Sequence, residues 1–127
     1  MIYGVGTDII EIARIAATLQ RFGGRFAQRI LCEPELRRFE SHRQPANYLA
    51  KRFAAKEAFT KALGTGIHAP ANWHGVWVGN LRSGKPVLEF SAPLATLMKA
   101  RGVGLAHVSL SDERAFAMAT VILECAA

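Results

Sequence analysis

The sequence predicts an α+β fold, in which a small antiparallel sheet packs with one long helix and several short helices. Three observations predict it. Short strand-like runs alternate with runs of helical periodicity along the chain. One helical pattern, Pro45 to Leu63, is much longer than the others and is closed by Gly64. The C-terminal segment AHVSLSDERAFAMATVILE predicts a hairpin whose turn residues are Ser111, Asp112 and Glu113.

The N-terminal part of the chain predicts one strand and three short helical segments. Ile2 to Asp8 has the pattern of a strand, and Glu11 to about Gln20 has that of a helix ending near the Gly23–Gly24 pair. Arg25 to Leu31 can form a short helical turn. Pro34 fits the first residue of a further helix that reaches about Ser41, because proline is favoured at that position.

Between the long helix and the C-terminal hairpin, the sequence predicts two strands and a helix. Trp73, Val76 and Val78 indicate the first strand, and the segment RSGKP at 82–86 is typical of a turn. The second strand runs through 87–90. A helix from about Ala92 to Arg101 should then stop at the following glycine.

Composition limits the class of protein and of partner. The length of 127 residues predicts one domain, 1–127, with half of its residues hydrophobic and about a fifth charged. The net charge of +6 predicts an anionic partner: a nucleic acid, a phosphorylated metabolite, an acidic protein or a membrane surface. Charge alone does not choose among these.

The cysteines and the apolar runs indicate the cellular compartment of the protein. Cys32 and Cys125 form no C-x-x-C pattern, so neither a disulfide framework nor a zinc site is predicted. The N-terminus lacks the basic region of a signal peptide, and the apolar runs are too short to span a bilayer. We therefore expect a cytoplasmic protein.

The long helix carries charges on a surface that is otherwise apolar. Ala50, Ala54, Glu57 and Lys61 fall in one stripe at helical spacing, and apolar residues also fill much of the opposite side. One interpretation is a plain ion pair between Glu57 and Lys61, four residues apart. The other is a ligand site, because the two alanines leave room for a large group along the stripe.

The ligand interpretation favours a polyphosphate. Arg52, Lys56 and Lys61 bring three cations to one segment, and Gly64 and Gly66 let the backbone approach a ligand closely. The sequence is nevertheless not a P-loop, since the pattern G-x-x-x-x-G-K-[ST] is absent. The N-terminal GVGTDI likewise fails as a dinucleotide fingerprint.

Asp8 stands where the first strand is predicted to meet the first helix. With Glu11 three residues later, it resembles a capping box for that helix. The alternative pairs Asp8 with Glu57, because Mg²⁺ typically takes one or two protein carboxylates together with substrate phosphates and waters. Two carboxylates, nearby cations and a glycine-rich segment are typical of phosphoryl-transfer sites.

Five segments together resemble the bacterial holo-acyl-carrier-protein synthases, a family of 4'-phosphopantetheinyl transferases. They cover essentially the whole chain in the expected order, and the long-helix segment combined with GTDI is the most specific part. The segments are GVGTDIIEIARI (4–15), RFAQRIL (25–31), LAKRFAAKEAFTKALGTGI (49–67), GKP (84–86) and HVSLSDE (107–113).

The resemblance implies the transferase fold of that family and its reaction. The phosphopantetheine arm of coenzyme A moves to a serine of apo acyl carrier protein, with release of adenosine 3',5'-bisphosphate. It further implies that Asp8 and Glu57 hold a Mg²⁺ ion at the pyrophosphate. Lys61 would stabilise charge on the phosphate oxygens. Glu57 is our first choice of group to take the serine proton.

Further residues are expected to contact coenzyme A. His107 matches a histidine of the family and is expected at the nucleotide, although a lone strand histidine is more often structural. Lys85 and Pro86 form either an adenine or phosphate rim or an ordinary hairpin turn. Asp112 stands where many relatives have a histidine, so no histidine base is predicted. The residues expected to bind coenzyme A are Arg52, Lys61, Gly64, Gly66, Lys85, Pro86 and His107.

Two expectations concern protein partners. The basic N-terminal helices are either a solvated face or, by the resemblance, the docking surface for an acidic acyl carrier protein, in which complementary charge speeds encounter and aromatic residues give close contact. The residues of this surface are Arg14, Arg21, Phe22, Arg25, Phe26 and Arg29. The family typically forms trimers with active sites between subunits, and Trp73, Trp77 and the apolar last strand are compatible with a homotrimer.

Two rival functions fit the charge. A small basic nucleic-acid-binding module would lose affinity steeply with added salt, but the sequence has no recognisable reading motif. A non-catalytic coenzyme A binder would hold the nucleotide without transferring its arm.

Overall fold

Five helices and five strands build the fold, and the computed structural model describes every residue from Met1 to Ala127. In chain order the elements are β1 (Ile2–Glu11), α1 (Ile12–Phe22), α2 (Gly24–Ile30), α3 (Glu33–Glu40), α4 (Pro45–Leu63), β2 (Val76–Asn80), β3 (Pro86–Phe90), α5 (Ala92–Ala100), β4 (Val103–Asp112) and β5 (Phe116–Cys125).

The strands form two antiparallel sheets, which confirms the predicted α+β class. The larger sheet has the order β1-β5-β4, and β2 and β3 form a separate hairpin. Helix α4 packs against one face of the larger sheet at very short range. A Cβ atom built on Gly6 would overlap the carbonyl oxygen of Ala58, and one on Gly4 would overlap that of Ala62. Glycine is therefore required where β1 crosses α4.

Helix α4 forms the centre of the core. Leu49, Ala50, Ala54, Ala58 and Phe59 are all fully buried. The sheet covers one side of the helix, while the short helices and the β2–β3 hairpin cover others. The apolar residues around most of its circumference predict this burial, since a helix that is apolar on most sides packs in a core.

The start of α1 differs from the predicted one. Strand β1 continues to Glu11, which pairs with Phe116 of β5, and α1 begins only at Ile12. Asp8 is paired with Ala119 in the middle of this ladder, so the capping-box interpretation of Asp8 is wrong. The backbone hydrogen bonds of the sheet outweigh the local cap that the spacing favours, and Glu11 occupies the cap position without a side-chain hydrogen bond.

Two further strand boundaries differ from the predicted ones. Trp73 lies in the turn that precedes β2 and is not part of a strand. Ser111 and Asp112 remain in β4, paired with Met118 and Ala117, so the hairpin turn spans 113–115. The ladder reaches further than turn chemistry alone indicates. Separately, none of the helices is both long and apolar enough to cross a lipid bilayer.

Candidate active site

Asp8 and Lys61 meet at the edge of the sheet where β1 packs on α4. The Lys61 Nζ donates to Asp8 Oδ1 at 3.2 Å and to the carbonyl oxygen of Thr7 at 2.9 Å. The Asp8 side chain is 18% exposed and that of Lys61 is 53% exposed. Because alternate residues of a strand face opposite sides, Asp8 lies on the same face as Gly4 and Gly6 and points towards α4.

Glu57 lies one helical turn before Lys61 but does not pair with it. Its carboxylate forms neither an ion pair nor a hydrogen bond, so the interpretation of Glu57 and Lys61 as a plain helix pair is wrong. Burial raises the pKa of the Glu57 carboxyl, and the negative charge of Asp8 raises it further, whereas Lys61 lowers it. Because Glu57 and Lys61 lie one turn apart on the same face of α4 and Lys61 contacts Asp8, the two carboxyl groups lie on the same side of the helix.

The donor set fits Mg²⁺ bound jointly with a substrate. The chain contains no cluster of three or more side chains able to ligate a metal, so a closed structural site is absent. Two neighbouring carboxylates beside the half-exposed ammonium group of Lys61 suit a hard cation that takes its remaining ligands from phosphate and water. Burial and, secondly, the charge of Asp8 raise the pKa of Glu57, and a bound cation would counteract both effects.

Lys56 does not join these groups. It is completely buried, and its Nζ lies 2.7 Å from Glu35 Oε1, 2.6 Å from the carbonyl oxygen of Ile30 and 2.7 Å from that of Trp73. Glu35 Oε2 accepts from the backbone N–H of Val78. The expectation that Lys56 adds a cation for a polyphosphate is therefore wrong. It forms an internal ion pair that ties α3, α4 and β2 together.

A second cluster of charges lines a cavity of about 300 Å³ that we call the basic pocket. Its lining is contributed by α3, the loop after α3, α4, the β2–β3 hairpin and β4. The lining residues are Arg38, His42, Tyr48, Lys51, Arg52, Asn80, Gly84, Pro86 and Leu110.

Arg52 is the most buried cation of the basic pocket. It is only 6% exposed, its guanidinium carbon lies 4.0 Å from the centre of the Tyr48 ring, and its Nε has no hydrogen-bond partner. The hydroxyl of Tyr48 is also buried without a partner. Buried donors of this kind are normally satisfied. An anionic ligand in the basic pocket would accept hydrogen bonds from both groups.

The basic pocket and the carboxylates lie on opposite sides of α4. At ~100° per residue, Arg52 and Glu57 point about 140° apart around the helix. Lys51 of the basic pocket pairs with Asp112 at the end of β4, whereas Lys61 pairs with Asp8 of β1, and these strands form the two edges of the larger sheet. The structure therefore separates Arg52 from Lys61, which the sequence placed in one ligand site.

The remaining residues expected to bind coenzyme A are distributed between these two sides. Gly64 follows Lys61 at the end of α4 with φ 89°, and Gly66 has φ 67°, so both use backbone conformations that favour glycine. Pro86 lines the basic pocket, whereas Lys85 lies beside it in the exposed hairpin turn.

His107 faces away from both the basic pocket and the Asp8–Glu57 site. It lies on the uncovered face of the larger sheet, where its Nε2 is 2.5 Å from Glu124 Oε2. Asp8 lies on the opposite, α4-covered face. Within one chain, His107 is therefore not part of the Asp8–Glu57 site.

The predicted docking residues lie together on α1 and α2. A groove of about 390 Å³ is lined by Thr18, Phe22, Arg25, Phe26 and Arg29. Phe22 is 52% exposed, which is unusual for an aromatic side chain. Arg14 and Arg21 are exposed on α1, and the Arg21 guanidinium lies 5.0 Å from the centre of the Phe22 ring.

The sequence did not identify Arg38, His42, Tyr48 or Asn80 as site residues. They come from α3, the loop after it, α4 and β2, and no sequence pattern relates these four elements. Only Tyr48 could have been found from the sequence, because it lies four residues before Arg52 and so shares a helical face with it.

Comparison with known proteins agrees with this architecture. Residues 4–121 match the family model described as the 4'-phosphopantetheinyl transferase superfamily, so the chain is of that class of protein. A holo-[acyl-carrier-protein] synthase of Nitrosomonas europaea is 48% identical, over 98% of this chain and 99% of the relative. The chain belongs to the holo-[acyl-carrier-protein] synthase family, which confirms the resemblance.

Solved structures extend this likeness to three dimensions. The crystal structure of holo-[acyl-carrier-protein] synthase from Neisseria meningitidis matches with a TM-score of 0.94 and 43% identity, covering 98% of this chain and 99% of that one. The holo-(acyl-carrier-protein) synthase of Bacillus anthracis, solved in complex with CoA (3',5'-ADP), matches with a TM-score of 0.84 and 37% identity, covering 99% of each chain.

Proposed function

We propose that this enzyme transfers the 4'-phosphopantetheine arm of coenzyme A to a serine of apo acyl carrier protein. The products are holo acyl carrier protein and adenosine 3',5'-bisphosphate, and the reaction supports fatty acid biosynthesis. The observation that carries the proposal is the near full-length match to named holo-[acyl-carrier-protein] synthases. The chemistry suits the site, because no nucleophile from this chain is needed when the carrier supplies its own serine.

Asp8 and Glu57 are the proposed ligands for Mg²⁺, and their mutual repulsion supports this choice. When bound, the ion would neutralise charge on the pyrophosphate oxygens. Lys61 would contribute a further positive charge to the same oxygens. Its exposed ammonium group is already held at this position by Asp8 and Thr7.

Glu57 is the proposed general base. In the transfer, the serine hydroxyl oxygen forms a new bond to the phosphorus that carries the pantetheine. The bond from that phosphorus to the bridging oxygen breaks, and its electron pair leaves with adenosine 3',5'-bisphosphate. The serine proton passes to Glu57, because burial raises the pKa of its carboxyl and so favours proton uptake, whereas Mg²⁺ bound to the same carboxylate would act in the opposite direction.

The nucleotide end of coenzyme A is proposed to occupy the basic pocket. Arg52 would be its main anion ligand, supported by the buried, unpartnered Nε. Pro86, with Lys85 beside it, would form the rim, while Gly64 and Gly66 would lie along the pyrophosphate on the Lys61 side. Since Arg52 and Glu57 face opposite sides of α4, one coenzyme A would contact the two sets in different copies of the chain.

This division supports a homotrimer with active sites between subunits. The uncovered face of the larger sheet has large apolar side chains in the open, including Ile9 at 63%, Phe116 at 46% and Met118 at 44% exposure. Exposed apolar groups clustered in this way are typical of protein interfaces. His107, on the same face, would then reach coenzyme A bound partly by a neighbouring copy.

Acyl carrier protein is proposed to dock on the groove between α1 and α2. The groove combines three properties: positive charge, an exposed aromatic ring and a concave shape. An acidic partner would be attracted by the arginines and fixed by Phe22 and Phe26. The proposed contacts are Arg14, Arg21, Phe22, Arg25, Phe26 and Arg29.

The proposal is tested by a transfer assay read by mass spectrometry. Apo carrier protein incubated with this enzyme, coenzyme A and Mg²⁺ should gain the mass of one phosphopantetheine group, and a chelator should prevent the gain. The synthase of Bacillus anthracis provides a positive control for the carrier. If that enzyme loads the carrier and this chain does not, the function is wrong. Coenzyme A binding without transfer would support the non-catalytic binder, and salt-sensitive nucleic acid binding the other rival.

A further inference from the structure

The cationic side chains of the basic pocket differ in whether an acidic side chain pairs with them. Lys51 pairs with Asp112, the Nζ–Oδ1 distance being 3.5 Å. Arg38 and Arg52 have no acidic partner, and no acidic residue lines the pocket. Two uncompensated guanidinium groups therefore share one cavity.

Arg38 is nevertheless held in place by a neutral group. Its Nη1 donates to Oδ1 of Asn80, at the end of β2. The Nδ2 of Asn80 in turn donates to the carbonyl oxygen of Gly84 at 3.0 Å, within the β2–β3 turn. Both ends of the Asn80 amide are thus engaged, so it links α3 to the hairpin. Because the amide carries no charge, the positive charge of Arg38 remains available to a ligand.

The two guanidinium groups of the basic pocket affect each other electrostatically. Burial lowers the pKa of Arg52, and the neighbouring charge of Arg38 lowers it further, although Tyr48 and Glu35 act in the opposite direction. The like charges of the buried Arg52 and the exposed Arg38 repel each other. An anion placed between them would remove that repulsion and would satisfy the unpartnered Nε of Arg52.

Coenzyme A contains one pyrophosphate and one separate phosphate, at the 3' position of its ribose. The pyrophosphate is assigned above to the side of α4 that carries Asp8, Glu57 and Lys61. We infer that Arg38 is a specificity-determining ligand for the 3'-phosphate in the basic pocket, and that Asn80 is the positioning residue that fixes it there. This inference rests on the proposed function.

The test compares coenzyme A with dephospho-coenzyme A, which lacks only the 3'-phosphate, in the transfer assay. In Arg38→Met, the KM for coenzyme A should rise about tenfold or more through loss of one charge-assisted contact. The KM for dephospho-coenzyme A should change by less than about twofold, since this substrate has no 3'-phosphate for Arg38 to bind. Arg37→Met is the matched control, because Arg37 is the preceding residue of α3 and pairs only with the exposed Glu33. It should leave both constants unchanged.

Asn80→Ala separates positioning from a merely structural role. If Asn80 positions Arg38, this variant should lose the preference for coenzyme A over dephospho-coenzyme A in part, with little change in kcat. A structural role would instead change both substrates alike and lower Tm. Either that result or an unchanged preference in Arg38→Met would overturn the inference.

Calorimetry of the full chain gives a readout that does not need turnover. Wild type should bind adenosine 3',5'-bisphosphate more tightly than 5'-AMP, and Arg38→Met should reduce that difference. A wild type that transfers the arm while Arg38→Met keeps its full preference for the 3'-phosphate would refute the inference alone. A wild type without transfer would refute the proposed function itself.

Discussion

Lys61 contacts Asp8, 53 positions away in the sequence, and not Glu57, one turn away on its own helix. This contact brings strand β1 to the charged stripe of α4, and it leaves the Glu57 carboxylate without a partner. The close crossing at Gly4 and Gly6 makes the contact possible, because a side chain at either position would hold the strand away from the helix.

Loss of the Lys61 charge should reduce turnover with little effect on folding. Lys61→Met is expected to lower kcat by about 10²–10³-fold, in the range seen when one group that stabilises transition-state charge is removed. Lys61 is 53% exposed, so circular dichroism and Tm should remain near wild type. Lys99→Met, on the exposed surface of α5, is the control. An equally large loss of kcat in the control would contradict the assignment.

Glu57→Gln should nearly abolish turnover but stabilise the metal-free fold at neutral pH. The raised pKa means that the folded state binds a proton more readily than the unfolded state. That contribution to stability is present at acidic pH and is lost as pH rises through the raised pKa. Glutamine carries no charge, so in chelator the variant should gain about 1–3 °C in Tm at pH 7. The gain should shrink towards pH 4, and a gain independent of pH would show another cause.

The buried Lys56–Glu35 pair predicts a large stability effect. Glu35→Gln leaves the Lys56 ammonium buried without a counter-charge, and removal of one partner of such a pair costs about 3–5 kcal/mol in the free energy of unfolding. Urea denaturation measures this. Arg37→Met breaks the exposed pair with Glu33 and should change the free energy by less than about 1 kcal/mol. Similar effects in the two variants would show that burial does not set the cost.

Gly6→Ala should damage both the fold and the site. The added methyl group meets the carbonyl oxygen of Ala58, which is backbone and cannot rotate away. We expect a loss of about 1–3 kcal/mol in the free energy of unfolding and a loss of activity, because β1 carries Asp8. Gly24→Ala is the control, since a Cβ there meets nothing within 4 Å. Wild-type activity in Gly6→Ala would show that the spacing of β1 and α4 is not critical.

Charge reversal on the docking groove should weaken carrier binding. Arg25→Glu is expected to raise the KM for acyl carrier protein about tenfold or more, while kcat stays close to wild type, because rim charges mainly affect encounter and binding. Arg14→Glu should act in the same direction. Added salt should reduce the difference from wild type. A fall in kcat with unchanged KM would place these arginines elsewhere in the reaction.

Local sequence patterns predicted the elements well but their ends less well. Helix α4 begins at Pro45 and ends at Leu63 as predicted, because proline and Gly64 determine its two ends by their own backbone chemistry. The ends of β1 and β4 extend further than predicted. A strand continues for as long as its neighbour offers hydrogen bonds, and that depends on the register with β5.

The sequence by itself determined the α+β class, the long buried helix, the positive charge and, through its similarity to a family, the reaction. Those properties follow from local backbone preferences and from the order of residues along the chain. Only the tertiary structure decided which charges are neighbours. It buried Lys56 against Glu35, joined Lys61 to Asp8, and assembled Arg38, Asn80 and Arg52 into one pocket. These contacts join residues distant in sequence, so they depend on how the sheet and helices pack, which no local spacing encodes.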